Sequence, residues 1–177
     1  MFLLLPACVH VVDVSIAGAT IAPTTANGTP WDGPDNMPAG TMDQLRALLS
    51  HADPSGQLGD AAVGLAGAAA KPDPGGNAIL LNDGHPSTIV ALAEVNDTFT
   101  PTWSGATFRA VSLDGKLGVR LQLSDKDLSS DDAICLVDLT NAELTAAFAT
   151  KGPHAVDTAA RTSGQLLSVQ VEVVKAR

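Results

Sequence analysis

The segment LGVRLQLSDKDLSSDD, residues 117–132, contains the two patterns that decide the fold. Its first half places leucine or valine at every second position, from Leu117 to Leu123. Strict alternation with a period of two indicates a β-strand with one buried side and one solvent-facing side. Its second half holds four aspartates within eight residues, against one lysine. The segment therefore predicts a half-buried strand that ends at a dense cluster of negative charge.

Similar alternation occurs near both ends of the chain, at Val12–Ile16 and Leu167–Val173. Turn residues separate these segments from shorter strand candidates, and the Asp114-Gly115 pair predicts a hairpin turn. Seven or eight short strands at this spacing predict an all-β protein, either a sandwich or a barrel. The shorter candidates are Ala78–Leu81, Ser87–Val95, Ala106–Val111 and Ala133–Leu139.

Two short helices are expected in the loops between strands. Thr41 followed by Gln44, and Thr140 followed by Glu143, both have the spacing of a capping box, in which the first and fourth residues bond each other's backbone N–H. Residues 33–72 contain four prolines and a run of glycine and alanine. This composition predicts an insertion between two strands, partly helical and partly flexible.

Composition limits the classes of partner. The chain has 177 residues, enough for one domain, and a net charge of −9 with sixteen aspartates and three glutamates. Nucleic acids and anionic membranes are bound through basic surfaces, so neither is expected as a direct electrostatic partner. No stretch approaches the roughly 20 apolar residues of a membrane span. An anionic partner would need a cation between it and the chain.

The first eight residues, MFLLLPAC, resemble the end of a bacterial lipoprotein signal, the lipobox. In that signal the cysteine becomes the lipidated first residue of the mature protein. The resemblance implies lipidation at Cys8 and an exported protein anchored in the cell envelope. The alternative is that residues 1–7 form the first edge of the fold and Cys8 is a buried cysteine, in which case a cytoplasmic location is expected.

The acidic loop after residue 124 predicts a metal site. Four carboxylates this close repel one another, and a bound cation removes that repulsion. Calcium is the natural candidate because it accepts six to eight oxygen ligands from flexible loops. An EF-hand is excluded, since counting from Asp125 places Ser130 where that loop needs glycine and Leu136 where it needs glutamate. The four carboxylates of the acidic loop, which are the candidate calcium ligands, are those of Asp125, Asp127, Asp131 and Asp132.

Three motifs, which follow one another along the chain at 71–74, 97–103 and 125–134, resemble those of the C2 domain family. The acidic loop, with Asp131-Asp132 before Ala133-Ile134, is similar to the family's third calcium loop. Lys71-Pro72-Asp73-Pro74 resembles the end of its first calcium loop. The segment 97–103, Asp-Thr-Phe-Thr-Pro-Thr-Trp, with a phenylalanine at 108, resembles the signature before the fourth strand. The resemblance extends from about residue 73 to residue 138.

The resemblance implies an eight-stranded antiparallel Greek-key β-sandwich, formed as one domain over residues 9–177 with the insertion at about 33–72 in the first calcium-loop region. It further implies that calcium binds at one tip and that anionic phospholipid headgroups complete its coordination. Leu128, at the loop tip, would enter the membrane interface. Asp32 is the candidate for the first aspartate of loop one, and Asp60 is the second choice. The implied ligands are Asp73, Asp125, Asp127 and Asp132, and Asp131 of the same cluster is a further candidate ligand.

Two other classes of function remain open. One is a β-sandwich that binds no calcium and serves as an adhesion or scaffold module at the cell surface. The other is an enzyme, which is not expected because the sequence lacks a nucleophile elbow, a zinc-protease motif, a P-loop and a dinucleotide-binding glycine pattern. Trp31, Trp103 and Cys135 are expected to be packing residues.

Overall fold

A computed structural model of the chain describes residues 10–28, 31, 71–126 and 132–177. Within these residues the chain forms eight β-strands, one α-helix (α1) and one short 3-10 helix at Ala159–Arg161. The helix α1 spans Asn141–Thr150, and no helix in the described ranges is long and apolar enough to span a bilayer. The strands are β1 His10–Ile21, β2 Pro74–Asn82, β3 His85–Leu92, β4 Thr107–Leu113, β5 Leu117–Asp125, β6 Asp132–Leu139, β7 His154–Asp157 and β8 Leu166–Lys175.

The strands form two four-stranded sheets. The first sheet has the order β4-β1-β8-β7 and the second has the order β3-β2-β5-β6. All neighbouring strands are antiparallel. Strand β1 lies between β4 and β8, which are distant from it in sequence. The chain passes from the first sheet to the second after β1 and after β4, and returns after β3 and after β6, as in a Greek key. The predicted eight-stranded antiparallel sandwich is confirmed.

The alternating residues of the longest strands form the core between the sheets. On β5, Leu121 and Leu123 are 1% exposed, and on β8 Val169 and Val171 are fully buried. Phe108 of β4 is the largest of the fully buried side chains among the described residues. Alternation thus identified most of the buried faces, since a sandwich buries only one side of each sheet. Leu167 is the exception: it is 37% exposed and Leu166 is buried instead, because the pairing of β8 with β1 is irregular at this point.

The Asp114-Gly115 pair does not form the expected hairpin. It joins β4 of the first sheet to β5 of the second, and so connects two strands that are not paired. The two-residue hairpin turn is Asp83-Gly84, between β2 and β3, where Asn82 pairs with His85. Both central residues there have positive φ, 54° and 78°, as the turn that suits the twist of a hairpin requires. Turn chemistry is local and does not reveal whether the flanking strands pair.

The capping box at Thr140 is confirmed. The Glu143 N–H donates to the Thr140 hydroxyl at 3.3 Å, and the Thr140 N–H donates to the Glu143 carboxylate at 2.7 Å. The helix ends at Thr150, and the C-cap residue Lys151 has a left-handed φ of 58°. Burial alone would raise the pKa of Glu143, but hydrogen bonds from Thr140 and the charge of Arg161 hold it below its usual value. The helix predicted at Thr41, and residues 33–70 of the predicted insertion, lie outside the described residues.

A bidentate ion pair on the outer face of the second sheet holds β6 to β5. The Arg120 guanidinium donates to the two carboxylate oxygens of Asp138 at 2.7 and 2.8 Å. These hydrogen bonds hold the pKa of the Asp138 carboxyl below its usual value. Arg120 pairs with Asp138 in the ladder, and after a register shift between Leu123 and Ser124 the same two strands place Asp132, at the start of β6, opposite Asp125 at the end of β5.

Candidate functional site

Four aspartates from separate parts of the chain lie at one end of the sandwich. Strand pairing places Pro74 opposite Asp125, and Asp125 opposite Asp132. Asp73 directly precedes Pro74, and its side chain accepts a hydrogen bond from the Asp97 backbone. We call Asp73, Asp97, Asp125 and Asp132 the acidic tip. Three of the four were predicted as ligands from the sequence, and Asp97 was not.

Asp125 is the structural centre of the acidic tip. It continues the inward-facing row of Leu121 and Leu123 along β5, and its exposed fraction is 0%. Its Oδ1 atom accepts a hydrogen bond of 2.6 Å from the backbone N–H of Asp73, and the backbone N–H of Lys126 donates to the Asp73 carbonyl at 3.0 Å. The sequence placed Asp125 in the loop, whereas it is the last residue of the strand. Its burial follows from the same alternation that buries the leucines.

Asp73 links this strand end to the loop between β3 and β4. Its Oδ1 atom accepts a hydrogen bond of 2.6 Å from the backbone N–H of Asp97. Asp97 has a left-handed φ of 51°, which aspartate tolerates better than most residues. The neighbouring Thr98 N–H donates to the Pro72 carbonyl at 3.0 Å. The sequence signal for Asp97 was its position at the start of the segment 97–103, which resembles the signature before the fourth strand.

Trp103 connects this loop to β1 of the first sheet and to Ala93, the residue that follows β3 of the second sheet. Its indole Nε1 donates to the Ala93 carbonyl at 2.8 Å, and its backbone N–H donates to the Ala17 carbonyl at 3.0 Å. Only 7% of Trp103 is exposed. Trp31 is also buried, and its Nε1 donates to the Ala22 carbonyl at 2.7 Å. The prediction that both tryptophans are packing residues is confirmed.

Several predicted site residues lie outside the described residues. Among the residues that the structure describes, no group of three or more histidine, cysteine, aspartate or glutamate side chains is arranged to hold a metal ion. The described carboxylates share one end of the fold, but Asp125 is buried and Asp132 is exposed. The metal site therefore stays a prediction. The predicted site residues that lie outside the described ranges are Cys8, Asp32, Asp60, Asp127, Leu128 and Asp131.

Cys135 is a packing residue, as the sequence predicted. It lies on β6, is 8% exposed and belongs to the core. Burial raises the pKa of its thiol to about 11, although a hydrogen bond with the Leu123 backbone opposes the shift. The thiol is thus protonated near neutral pH, and a protonated thiol is a poor nucleophile.

Solved structures similar to this chain include C2 domains, although no family model and no curated protein matches it. The chain is 12% identical to a C2 domain of plant extended synaptotagmin 1, with a TM-score of 0.44 and 94% of both chains covered. A structure of extended synaptotagmin 2 that holds its SMP domain and two C2 domains is 13% identical, with a TM-score of 0.45. That match covers 94% of this chain and 27% of the synaptotagmin chain.

Human GIVD cytosolic phospholipase A2, in complex with an inhibitor and terbium chloride, is similar at 15% identity and a TM-score of 0.47. The match covers 96% of this chain and 18% of the phospholipase chain. This chain therefore spans less than a fifth of the phospholipase. The likeness to these proteins is one of fold alone, and no enzymatic function follows from it for this chain.

Proposed function

We propose that the acidic tip binds calcium and thereby makes calcium-dependent contact with anionic phospholipid headgroups. The observation that carries the proposal is the 2.6 Å hydrogen bond between Asp73 and Asp125, which are 52 residues apart in the chain. This bond places Asp73, the predicted ligand from loop one, next to Asp125, the first of the predicted ligands from loop three. The proposed ligand set is Asp73, Asp125, Asp127, Asp131 and Asp132, with Asp32 completing it.

In this proposal calcium controls the contact with the membrane. Strands β2 and β3 contain no lysine or arginine, so they offer no basic surface to an acidic lipid. A bound divalent cation reverses the sign of the local potential and permits a phosphate oxygen to approach. Leu128 is proposed to enter the interface once the charge of the loop has been neutralised. Contact with the membrane is then strong only when calcium is present.

A calcium titration tests the proposal. A ligand at 100 times its Kd stabilises the folded state by about 2.7 kcal/mol, which for a domain of this size raises Tm by roughly 5–10 °C. We expect that rise when millimolar calcium replaces EDTA in differential scanning calorimetry. The double variant Asp125→Asn/Asp127→Asn should abolish it, because asparagine keeps an oxygen for the Asp73 N–H but removes the charge that calcium requires.

The matched control removes two charges at the opposite end of the sandwich. Asp83→Asn/Asp114→Asn changes two exposed turn residues, and it should keep the full calcium response. Sedimentation with phosphatidylcholine vesicles that contain phosphatidylserine should show calcium-dependent binding by the control and none by the Asp125/Asp127 variant. Equal calcium responses in the two double variants would place the site elsewhere.

A calcium-independent adhesion or scaffold module is the second candidate, and one observation favours it. Asp125 and Asp73 each use a carboxylate oxygen to accept a backbone N–H, a role that joins strand ends without a metal. In that case calcium leaves Tm unchanged in the unmodified protein. The absence of any shift would therefore exclude the first proposal and leave the second.

For location, we propose that the protein is exported and anchored through a lipid on Cys8. The support is the apolar run that ends in Ala7-Cys8. Mass spectrometry of the protein isolated from its native cells should find diacylglyceryl on Cys8 as the first residue. Recovery of an intact Met1 would contradict the anchor.

A further inference from the structure

A cationic cavity of about 490 Å³ lies on the first sheet, at the end opposite the acidic tip. Three of its lining residues have cationic side chains, Arg109, Lys175 and Arg177, and one has an acidic side chain, Asp13. The whole chain has ten lysines and arginines and a net charge of −9. Two positive side-chain charges are thus left unbalanced at one cavity of a strongly acidic protein, and the proposed calcium site gives no reason for them.

An irregularity in strand pairing lies at this cavity. The register between β1 and β4 shifts between Val12 and Val14, so that Arg109 and Ala110 together oppose Asp13. Ala110 has a left-handed φ of 53°, a conformation that a residue with a Cβ adopts rarely. Such bulges re-aim a side chain and are frequent beside functional sites. Here both bulge residues, Arg109 and Ala110, line the cavity.

Asp13 holds the bulge in place. Its Oδ1 atom accepts a hydrogen bond of 2.8 Å from the backbone N–H of Ala110. Its Oδ2 atom lies 3.9 Å from the Arg109 guanidinium, a distance that allows charge attraction but is too long for a hydrogen bond. The Arg109 side chain is 80% exposed. Its guanidinium therefore has N–H donors to offer a ligand.

The cavity and the acidic tip are separate sites. The Ile21 N–H, at the far end of β1, donates to the Phe99 carbonyl in the loop that also carries Asp97. That end of β1 therefore lies on the side of the acidic tip. Asp13 is about 26 Å from Ile21 along β1, if each residue advances the strand by ~3.3 Å.

We propose that this cavity binds the phosphate group of a phosphorylated molecule, independently of calcium. Guanidinium groups bind phosphate oxygens through paired hydrogen bonds, and a lysine ammonium adds charge without fixed geometry. Arg109 supplies the first kind of contact and Lys175 the second. The volume is in the range of sites for small molecules.

Isothermal titration calorimetry with inorganic phosphate, in a buffer that contains EDTA, tests this site. A titration with sodium chloride at matched ionic strength is the reference. We expect saturable binding, and a Kd at least about tenfold higher in Arg109→Gln, because a charge-assisted hydrogen bond is lost. Lys175→Gln should also weaken binding. The matched control is Lys116→Gln, which removes an exposed positive charge outside the cavity and should leave the Kd unchanged.

A gain of affinity in Asp13→Asn that Asp83→Asn, outside the cavity, does not show separates this site from general charge attraction. Asp13→Asn keeps an oxygen that accepts the Ala110 N–H and removes the opposing charge, so the Kd for phosphate should fall by roughly threefold. The result that overturns the proposal is an absence of saturable binding, or equal losses in Arg109→Gln and Lys116→Gln.

Vesicles in EDTA identify the source of the phosphate. Binding to phosphatidylcholine vesicles that contain phosphatidic acid, lost in Arg109→Gln, would assign a lipid headgroup. Saturable binding of inorganic phosphate without vesicle binding would assign a soluble phosphorylated molecule. Because calcium is absent from these measurements, they stand whether or not the acidic tip binds calcium.

Discussion

Gly76→Ala is expected to destabilise the fold by about 3 kcal/mol or more, from backbone strain and steric overlap together. Gly76 has a φ of 151°, and a Cβ at this position would overlap the backbone oxygen of Gln122 on β5. The obstructing atom belongs to a paired strand in the centre of the second sheet, so it cannot move as the end of a flexible side chain would. Thermal unfolding should show Tm lower by at least roughly 6 °C.

Gly152→Ala is the matched control for this prediction. No atom lies within 4 Å of a Cβ added at Gly152, so its stability should stay within about 0.5 kcal/mol of the unmodified protein. Gly76 also lies two residues from Pro74, which pairs with Asp125. Displacement of β2 at Gly76 should therefore weaken any calcium response as well. Similar stabilities for the two variants would show that β2 and β5 do not approach so closely.

Trp103→Ala should cost about 3–5 kcal/mol, the usual range for truncation of a large buried aromatic side chain. The variant loses the packing of the ring and the hydrogen bond from its Nε1 to the Ala93 carbonyl. Chemical denaturation measures the loss, which is a large fraction of the stability of an ordinary domain.

The consequence of this truncation for the acidic tip can be measured separately. With the loop released, the Asp97 N–H should exchange faster with solvent, because its hydrogen bond to Asp73 depends on the position of the loop. Trp103→Phe is the control, since it keeps an aromatic ring but loses the hydrogen bond, at a cost of about 1 kcal/mol for that bond, together with part of the packing of the larger indole ring. Unchanged exchange at Asp97 in Trp103→Ala would mean that the loop is held by other contacts.

Burial was the most predictable property of the fold. The alternation at Leu117–Leu123 and Leu167–Val173 identified strands and, except at Leu167, their buried faces, because period two is imposed by the geometry of a strand itself. The strand β7, His154–Asp157, was not predicted. It has four residues, too few to show a repeating pattern, and it is a strand because it pairs with β8.

The candidate site was only partly predictable. Asp73 and Asp125 were identified as neighbours through the resemblance to a family, and the hydrogen bond between them confirms that they are close. Asp97 was missed because its contact depends on the path of a loop, which composition does not specify. The cavity at Arg109 was missed for a related reason: a strand bulge, visible only in the pairing register, brings that residue to it.

The pairing of β1 with β8 has a consequence for biosynthesis. Strand β1 is the central partner of both β4 and β8, and Ser15 pairs with Glu172, more than 150 residues later in the chain. While the ribosome is still synthesising the segment after β7, the long edge of β1 that will receive β8 has no strand to pair with. Open strand edges bind other chains, so partly synthesised molecules are exposed to aggregation until β8 emerges. A chaperone that shields this edge would improve the yield of folded protein.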